Sequence, residues 1–415
     1  MLKQLAMTTL ALSLCYASAS AGTLSFDGNT DKSPIEYKPG EKMVFMVQLM
    51  EDSKPVEGKK LKWLRRGDDG KTENGEAVSS AANPLTIETS MGKPGFVNIA
   101  VTACDDNGKP LKDEKNQEIK FDGGAGAGLE KLESYPEPKD FDAFWAGQKA
   151  KLAQVPLKAN MTEVPSKDPK FLVYDVKVDC AGKKPVVGYF TKPKDAGAKS
   201  LKAKVTYEGY GVFSAKPEMQ EGMMIFKINA HGIENGMEPE YYKKLLDGEL
   251  KSYAFNNEEN ANPETAYFNG MMLRAMRALE FVKSQPEWDG KNLISYGGSQ
   301  GGFQSLSAAG LDGDVTSCTA FVPWCCDLGG INLGRVRGWR PDFTDALAYY
   351  DPVNHAKRIK CDTSVTAGLG DYICPPSGIT VLYNNIKAPK RVEYFQGKTH
   401  GYTPPNAKSF KMSSK

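Results

Sequence analysis

Asn292-Leu-Ile-Ser-Tyr296 reads as a strand, runs into Gly297-Gly-Ser-Gln-Gly-Gly302, and emerges as the apolar helical stretch Phe303 to Gly310. Strand, sharp glycine turn and helix in that order make a nucleophile elbow. Small residues two before and two after Ser299 let strand and helix pack tightly, and they leave the hydroxyl exposed at the carboxyl edge of a sheet, above a helix N-terminus. A chain this long and glycine-rich contains Gly-x-Ser-x-Gly by chance about a quarter of the time. The strand-to-helix context is therefore what gives the match its weight.

Working outward from the elbow, strands alternate with helices from Pro136 onward. Strands are expected at Phe171 to Val178, Val186 to Thr191, Ala203 to Tyr207, Met224 to Asn229, Leu293 to Tyr296, Cys318 to Val322, Ser364 to Ala367 and Arg391 to Phe395. The helix Gly270 to Ser284 places Leu273, Met276, Leu279 and Val282 near helical spacing just before the elbow strand. Such alternation predicts an α/β domain over 136–415 with a mostly parallel sheet. Residues 22–122 differ in character. Short β-prone runs (Met43 to Leu49, Leu61 to Leu64) and the alternation Val97, Ile99, Val101, Ala103 are separated by turns such as Asn74-Gly75 and Asp106-Asn-Gly108. That pattern predicts an all-β immunoglobulin-like sandwich. Gly123-Gly-Ala-Gly-Ala-Gly128 reads as a Gly-rich linker or tight turn, giving a linker over 123–135.

A serine hydroxyl is a weak nucleophile and needs a histidine base, which in turn needs a carboxylate to hold its tautomer. On an elbow of this type the acid follows a later strand and the histidine follows the last one. Asp371, in Gly368-Leu-Gly-Asp371, and His400, in Lys398-Thr-His400-Gly401, sit at those places. Among the three histidines, His355 has polar flanks and reads as a surface residue. His231 follows a strand and is left open between a pocket role and a structural one. For the oxyanion of acyl transfer, the backbone N–H of Gln300 is the first donor. That of Tyr210, in Glu208-Gly-Tyr-Gly211 after a strand, is the second. Trp324 either walls the acyl pocket or belongs to the core.

The bulk numbers exclude several classes. A formal net charge of +2 with interspersed signs gives no electrostatic case for nucleic acid or an anionic membrane. Met1-Leu-Lys3, the apolar run Leu5 to Ala17 and Ala19-Ser-Ala-Gly22 have the parts of a signal peptide over 1–21, so export to the periplasm or medium is expected, with no membrane span in the mature chain. Cys15 follows Leu14, where a lipidation site wants a small residue. Seven of the eight cysteines follow the signal, in no pattern with metal-ligand spacing, and no metal or organic cofactor is expected.

From about Pro136 to Pro404 the chain resembles the acetyl xylan esterase and cephalosporin C deacetylase family, carbohydrate esterase family seven. The matching stretches are Phe141-Asp-Ala-Phe-Trp145, Arg277-Ala-Leu-Glu280, Gly297 to Gly302, Asp351-Pro-Val-Asn354, Arg358-Ile-Lys360, Gly368-Leu-Gly-Asp371 with Cys374-Pro-Pro376, and His400. The resemblance implies an α/β-hydrolase fold, removal of acetyl groups from short oligosaccharides and small esters, a triad of Ser299, Asp371 and His400, and oxyanion amides from Gln300 and Tyr210. Three positions depart from the family pattern. Arg-Gly-Gln is replaced by His231-Gly-Ile233, His-Glu by His400-Gly401, and the oxyanion-loop histidine by Glu208, a carboxylate that opposes negative charge there unless it points away. Family members often form closed hexamers, and the added N-terminal segment leaves the homo-oligomeric state open. The expected function is a secreted serine esterase that deacetylates acetylated oligosaccharides or small acetyl esters. The alternatives are another ester or peptide substrate, or an inert polysaccharide-binding protein.

Overall fold

The computed structural model describes residues 23–414, and the expected signal over 1–21, with Cys15, lies outside them. Eight strands come first: β1 (Leu24–Thr30), β2 (Lys42–Glu51), β3 (Lys54–Pro55), β4 (Lys60–Gly67), β5 (Thr72–Val78), β6 (Leu85–Ser90), β7 (Gly95–Cys104) and β8 (Lys120–Ala127). In one sheet β2 pairs with β1, β3 and β6, and the other runs β5-β4-β7-β8. Every pairing is antiparallel. With a side-chain period of two, Met43, Phe45, Val47 and Leu49 of β2 face Val97, Ile99, Val101 and Ala103 of β7 across a shared apolar core.

The alternation in β7 has a second consequence. Its opposite face is buried as well, because Phe96 joins the core of the following α/β domain while Val97 and Ile99 stay in the N-terminal one. One strand thus serves two cores.

The glycine run read as a linker over 123–135 is instead the end of β8, hydrogen-bonded to β7 as far as Ala127 opposite Gly95, and followed at once by a 3-10 turn at Leu129–Lys131. Its glycines serve close approach rather than flexibility. A Cβ on Gly124 would lie 2.6 Å from the Leu369 carbonyl oxygen. The Gln396 side chain bonds both the N–H and the C=O of Gly124, each at 3.0 Å, and Asn98 Nδ2 donates to Leu369 O at 2.6 Å.

The α/β domain holds ten strands: β9 (Ala159–Val164), β10 (Phe171–Val178), β11 (Val186–Pro193), β12 (Leu201–Tyr207), β13 (Met223–Ile228), β14 (Trp288–Gly298), β15 (Ser317–Phe321), β16 (Asp362–Gly368), β17 (Lys390–Phe395) and β18 (Ser409–Ser414). Its six helices are α1 (Phe141–Ala153), α2 (Pro239–Asp247), α3 (Tyr267–Lys283), α4 (Gln300–Leu311), α5 (Pro352–Ala356) and α6 (Pro376–Asn385). All ten strands form one sheet in the order β18-β17-β16-β15-β14-β12-β13-β11-β10-β9. The six strands β12 to β17 pair in parallel with one another and the remaining pairings are antiparallel. The eight strands expected from sequence are present, each within about two residues of its expected ends except that β14 starts earlier, at Trp288. The two unanticipated ones, β9 and β18, are the sheet edges. Both are short and mostly exposed, with only Met161 of β9 and Phe410 and Met412 of β18 packed on the core, as suits an edge that must not recruit another strand.

The chain reverses direction across the sheet between β12 and β14. On one side of β12 the sheet continues through β13, β11, β10 and β9, and on the other through β14 to β18. In an α/β sheet such a reversal opens a crevice at the carboxyl ends of the two central strands, because their connections diverge to opposite faces. The loops after β12 and β14 carry Tyr210 and Ser299.

His355 departs from expectation. It is completely buried in α5, edge-on to both Phe141 and Trp145 at 5.1 Å between ring centroids, and burial pushes its pKa down to about 3. Its polar neighbours Asp351 and Asn354 are buried as well, bonded to backbone at Asp327, Leu328 and Ala348, so polarity along this stretch does not mark a surface. A histidine neutral when folded but near pKa 6.5 when unfolded contributes stability that is complete above pH 6.5 and falls away as pH drops toward 3. At pH 4 the loss is about 3 kcal/mol. We expect His355→Phe to flatten the decline of Tm between pH 6.5 and 4 in differential scanning fluorimetry. An equally steep decline in the variant contradicts this.

Candidate active site

Ser299 lies between β14 and α4 with φ 53° and ψ −119°, a region in which non-glycine residues are strained by about 1–3 kcal/mol. The strain is held by three backbone bonds. Ser299 N donates to Phe321 O at 2.8 Å, while Ser299 O accepts from Phe303 N and Trp324 N, each at 3.0 Å. Gly297 and Gly301 leave no room for a side chain. A Cβ on the first would meet Gly301 at 2.3 Å, and one on the second would meet Tyr207 O at 2.1 Å. The helix and β12 therefore close directly on the turn.

His400, in the loop after β17, approaches from the other side. Its Nε2 is 2.9 Å from Ser299 Oγ and its Nδ1 is 2.9 Å from Asp371 Oδ2. Asp371, 1 % exposed, follows β16 and spends its other oxygen, Oδ1, on the N–H groups of Ile373 and Cys374, both at 2.9 Å. A carboxylate can only accept, so Nδ1–H donates to it and Nε2 is left as an acceptor for the serine hydroxyl. In that arrangement the imidazole can take the Ser299 proton, and the buried carboxylate offsets the charge that results. A metal reading of the same spot is weaker. Asp371, Cys374 and His400 offer atoms within 4.8 Å of one another, but burial raises the Cys374 pKa far above the usual thiol range, so the thiolate a metal needs is disfavoured.

Gln300 begins α4, and its backbone N–H has no protein acceptor among the described residues. The same holds for Tyr210 N–H in the loop after β12. Both amides are thus free to donate to a developing oxyanion. Around them is a network that sequence reading did not find. The Gln300 side chain donates through Nε2 to Gly209 O at 3.4 Å, and that carbonyl shares its peptide plane with Tyr210 N–H. Gln300 Oε1 accepts from Tyr253 Oη at 3.0 Å, and Tyr253 Oη accepts from Gly211 N at 2.8 Å. The tyrosine ring also stacks on Tyr210 at 4.2 Å. The two donors are therefore aimed by one shared set of contacts. Nothing in the run Ser252-Tyr-Ala254 marks Tyr253 as part of it.

His231 lies behind this loop rather than in a pocket. It is 3 % exposed, with Nε2 2.9 Å from Gly211 O and Nδ1 2.6 Å from Tyr267 Oη. A carbonyl can only accept, so Nε2 carries the proton and Tyr267 donates to Nδ1. Desolvation lowers its pKa to about 4, which keeps the ring neutral and the loop contact intact at neutral pH. Trp324 is buried too. It backs the loop, edge-on to Tyr210 at 5.5 Å, while its own N–H holds Ser299 O. Glu208 points away from the amides and pairs with Lys227 at 3.3 Å, which removes the objection its charge raised.

Comparison with known proteins places this geometry in context. The model of the family described as "Acetyl xylan esterase (AXE1)" matches residues 127–332 and 339–414. An acetyl esterase, Axe7A, of Xylanibacter ruminicola is 29 % identical over 337 residues, covering 77 % of this chain and 74 % of that protein. Among solved structures, the acetyl xylan esterase from Paenibacillus sp. R4 is 28 % identical with a TM-score of 0.57, covering 66 % of this chain and 93 % of its own. Acetyl xylan esterase 1 from a Thermoanaerobacterium species, at 22 % identity, is similar in fold, with a TM-score of 0.53 over 67 % of this chain and 93 % of its own. The residues before 127 lie outside the family match.

Proposed function

This chain belongs to the acetyl xylan esterase family of carboxylic ester hydrolases, and we propose that it is an exported serine esterase that deacetylates acetylated xylo-oligosaccharides or similar small acetyl esters. The observation that carries the reading is the continuous chain from Ser299 Oγ through His400 to the buried Asp371, facing two free backbone amides. Ser299 Oγ attacks the acetyl carbonyl while His400 Nε2 takes its proton. The carbonyl oxygen, now negative, is held by the N–H groups of Gln300 and Tyr210. The C–O bond to the sugar breaks, and the departing alkoxide takes the proton from His400. Water, deprotonated by the same histidine, then attacks the acetyl-enzyme and releases acetate. The names of the relatives support the acetyl group as the acyl part. In the same reading the two N-terminal sheets are an immunoglobulin-like sandwich, and residues 1–21 direct export.

The test is acetate release from p-nitrophenyl acetate and from acetylated xylo-oligosaccharide by the purified protein. Turnover of both is the expected result. Turnover of the small ester alone would leave the chemistry standing and sink the sugar, and turnover of neither by folded protein would sink the esterase reading.

A further inference from the structure

Residues 333–338, Leu-Gly-Arg-Val-Arg-Gly, form the one internal stretch left out of the family match, and the next residue is Trp339. In the structure this short segment is gripped by the N-terminal sheets. Asp68, buried just past the end of β4, accepts from Val336 N at 2.8 Å through Oδ1 and from Phe96 N at 2.8 Å through Oδ2. Ser377 Oγ of α6 adds a longer bond to Oδ1 at 3.4 Å. Arg335 next to Val336 is itself tied down, by the Asp327 carboxylate and by Glu133 O at 2.9 Å. The segment then turns at Gly338, where a Cβ would lie 2.6 Å from Ile373 O, and delivers Trp339 to the site.

There Trp339 spans the two sides of the crevice. Its N–H donates to Ile373 O at 3.0 Å, two residues past Asp371, while its ring lies edge-on to the Tyr210 ring at 4.7 Å and stacks on Trp324 at 5.6 Å. Its own carbonyl accepts from Trp324 Nε1 at 2.6 Å, which fixes the backbone. Yet Trp339 is 43 % exposed. A tryptophan anchored on three sides next to an oxyanion amide, with part of its ring left to solvent, presents a rigid apolar plane where the alcohol part of an ester must lie. The C–H face of a pyranose ring is the complement of such a plane, and rigidity lowers the ordering cost of using it.

We propose that Trp339 is the platform for the sugar ring of the acetylated substrate, and that Asp68 of the N-terminal sheets is a positioning residue that holds the 333–338 segment to present it. This rests on the sugar-ester reading above. The N-terminal unit then contributes to substrate choice through the segment it holds.

The experiment compares kcat and KM for acetylated xylotriose and for p-nitrophenyl acetate in the parent, Trp339→Ala, Trp339→Phe and Asp68→Asn. The ratio of kcat/KM for the sugar ester to that for the small ester is expected to fall about tenfold in Trp339→Ala, through KM for the sugar, and to recover largely in Trp339→Phe. Asp68→Asn offers a single acceptor oxygen to two N–H groups and should lower the same ratio by less. Melting temperatures check that each variant is folded. An unchanged ratio in folded Trp339→Ala, or an equal loss on both substrates, overturns the platform. A lowered ratio in Trp339→Ala with an unchanged one in Asp68→Asn overturns the role of the N-terminal sheets. A parent that hydrolyses only p-nitrophenyl acetate overturns the sugar reading and the platform together, which is a different pattern from failure of the platform alone.

Discussion

Ser299→Ala is expected to lower kcat for p-nitrophenyl acetate on the order of 10⁴–10⁶-fold, with little change in melting temperature. The hydroxyl is the only atom removed, and without it His400 has no nucleophile to activate. What survives is the stabilisation given to a water-attack transition state by the Gln300 and Tyr210 amides, which leaves a residue of catalysis above the uncatalysed rate. A serine-directed fluorophosphonate should label the parent at Ser299 and leave the variant unlabelled. Ser299→Gly sharpens the test, because the backbone angles at this residue, φ 53° and ψ −119°, are ones that glycine adopts without strain. That variant should be as inactive as the alanine one and more stable than the parent by about 1 kcal/mol, the mark of strain kept for function. Retention of more than a few per cent of activity in either variant would remove Ser299 from its role.

Asp371→Asn should cost about 10⁴-fold in kcat while leaving the fold intact. The direction follows from the hydrogen bonds. Asp371 Oδ1 accepts from Ile373 N and Cys374 N, so an asparagine there must keep its one acceptor oxygen toward those two donors. Its NH2 group then faces His400 Nδ1, 2.9 Å away, and can only donate to it. Nδ1 becomes the acceptor, the proton moves to Nε2, and Nε2 can no longer take the proton of Ser299 Oγ. The geometry is preserved and the tautomer is wrong. Proton NMR of the imidazole N–H distinguishes the two forms. A variant within tenfold of the parent would show that the carboxylate contributes little beyond packing.

The candidate site was legible where chemistry dictates order along the chain. The glycine spacing around Ser299, an acid after one late strand and a histidine after the next are local requirements, and the structure brings these three residues into hydrogen-bond contact across 72 and 101 positions of separation between Ser299 and its partners, as a strand-by-strand sheet would require. The supports of the site were not legible. Tyr253 and Trp339 act through which neighbour they meet, and their surrounding residues carry no spacing rule, while the place of His231 after a strand marks it without deciding between a pocket and a structural role. His355 was misplaced for the same reason, since its polar neighbours Asp351 and Asn354 are buried with partners elsewhere in the chain that no local pattern names.

The glycine run at 123–128 separates the two kinds of information most clearly. Composition alone gives glycine the same look whether it frees a chain or lets two chains touch, and only the packed Leu369 carbonyl and Gln396 side chain decide that here it does the second. By itself the amino-acid order determined the α/β alternation, the strained turn at Ser299 and the ranks of Asp371 and His400, because backbone sterics and hydrophobic period act over a few residues at a time. The tertiary structure decided that the N-terminal sheets dock on the acid loop, that Gln300 and Tyr253 brace the Tyr210 loop, and that Trp339 packs on Tyr210 with part of its ring exposed, because each depends on contacts between residues far apart in the chain whose partners no local pattern names.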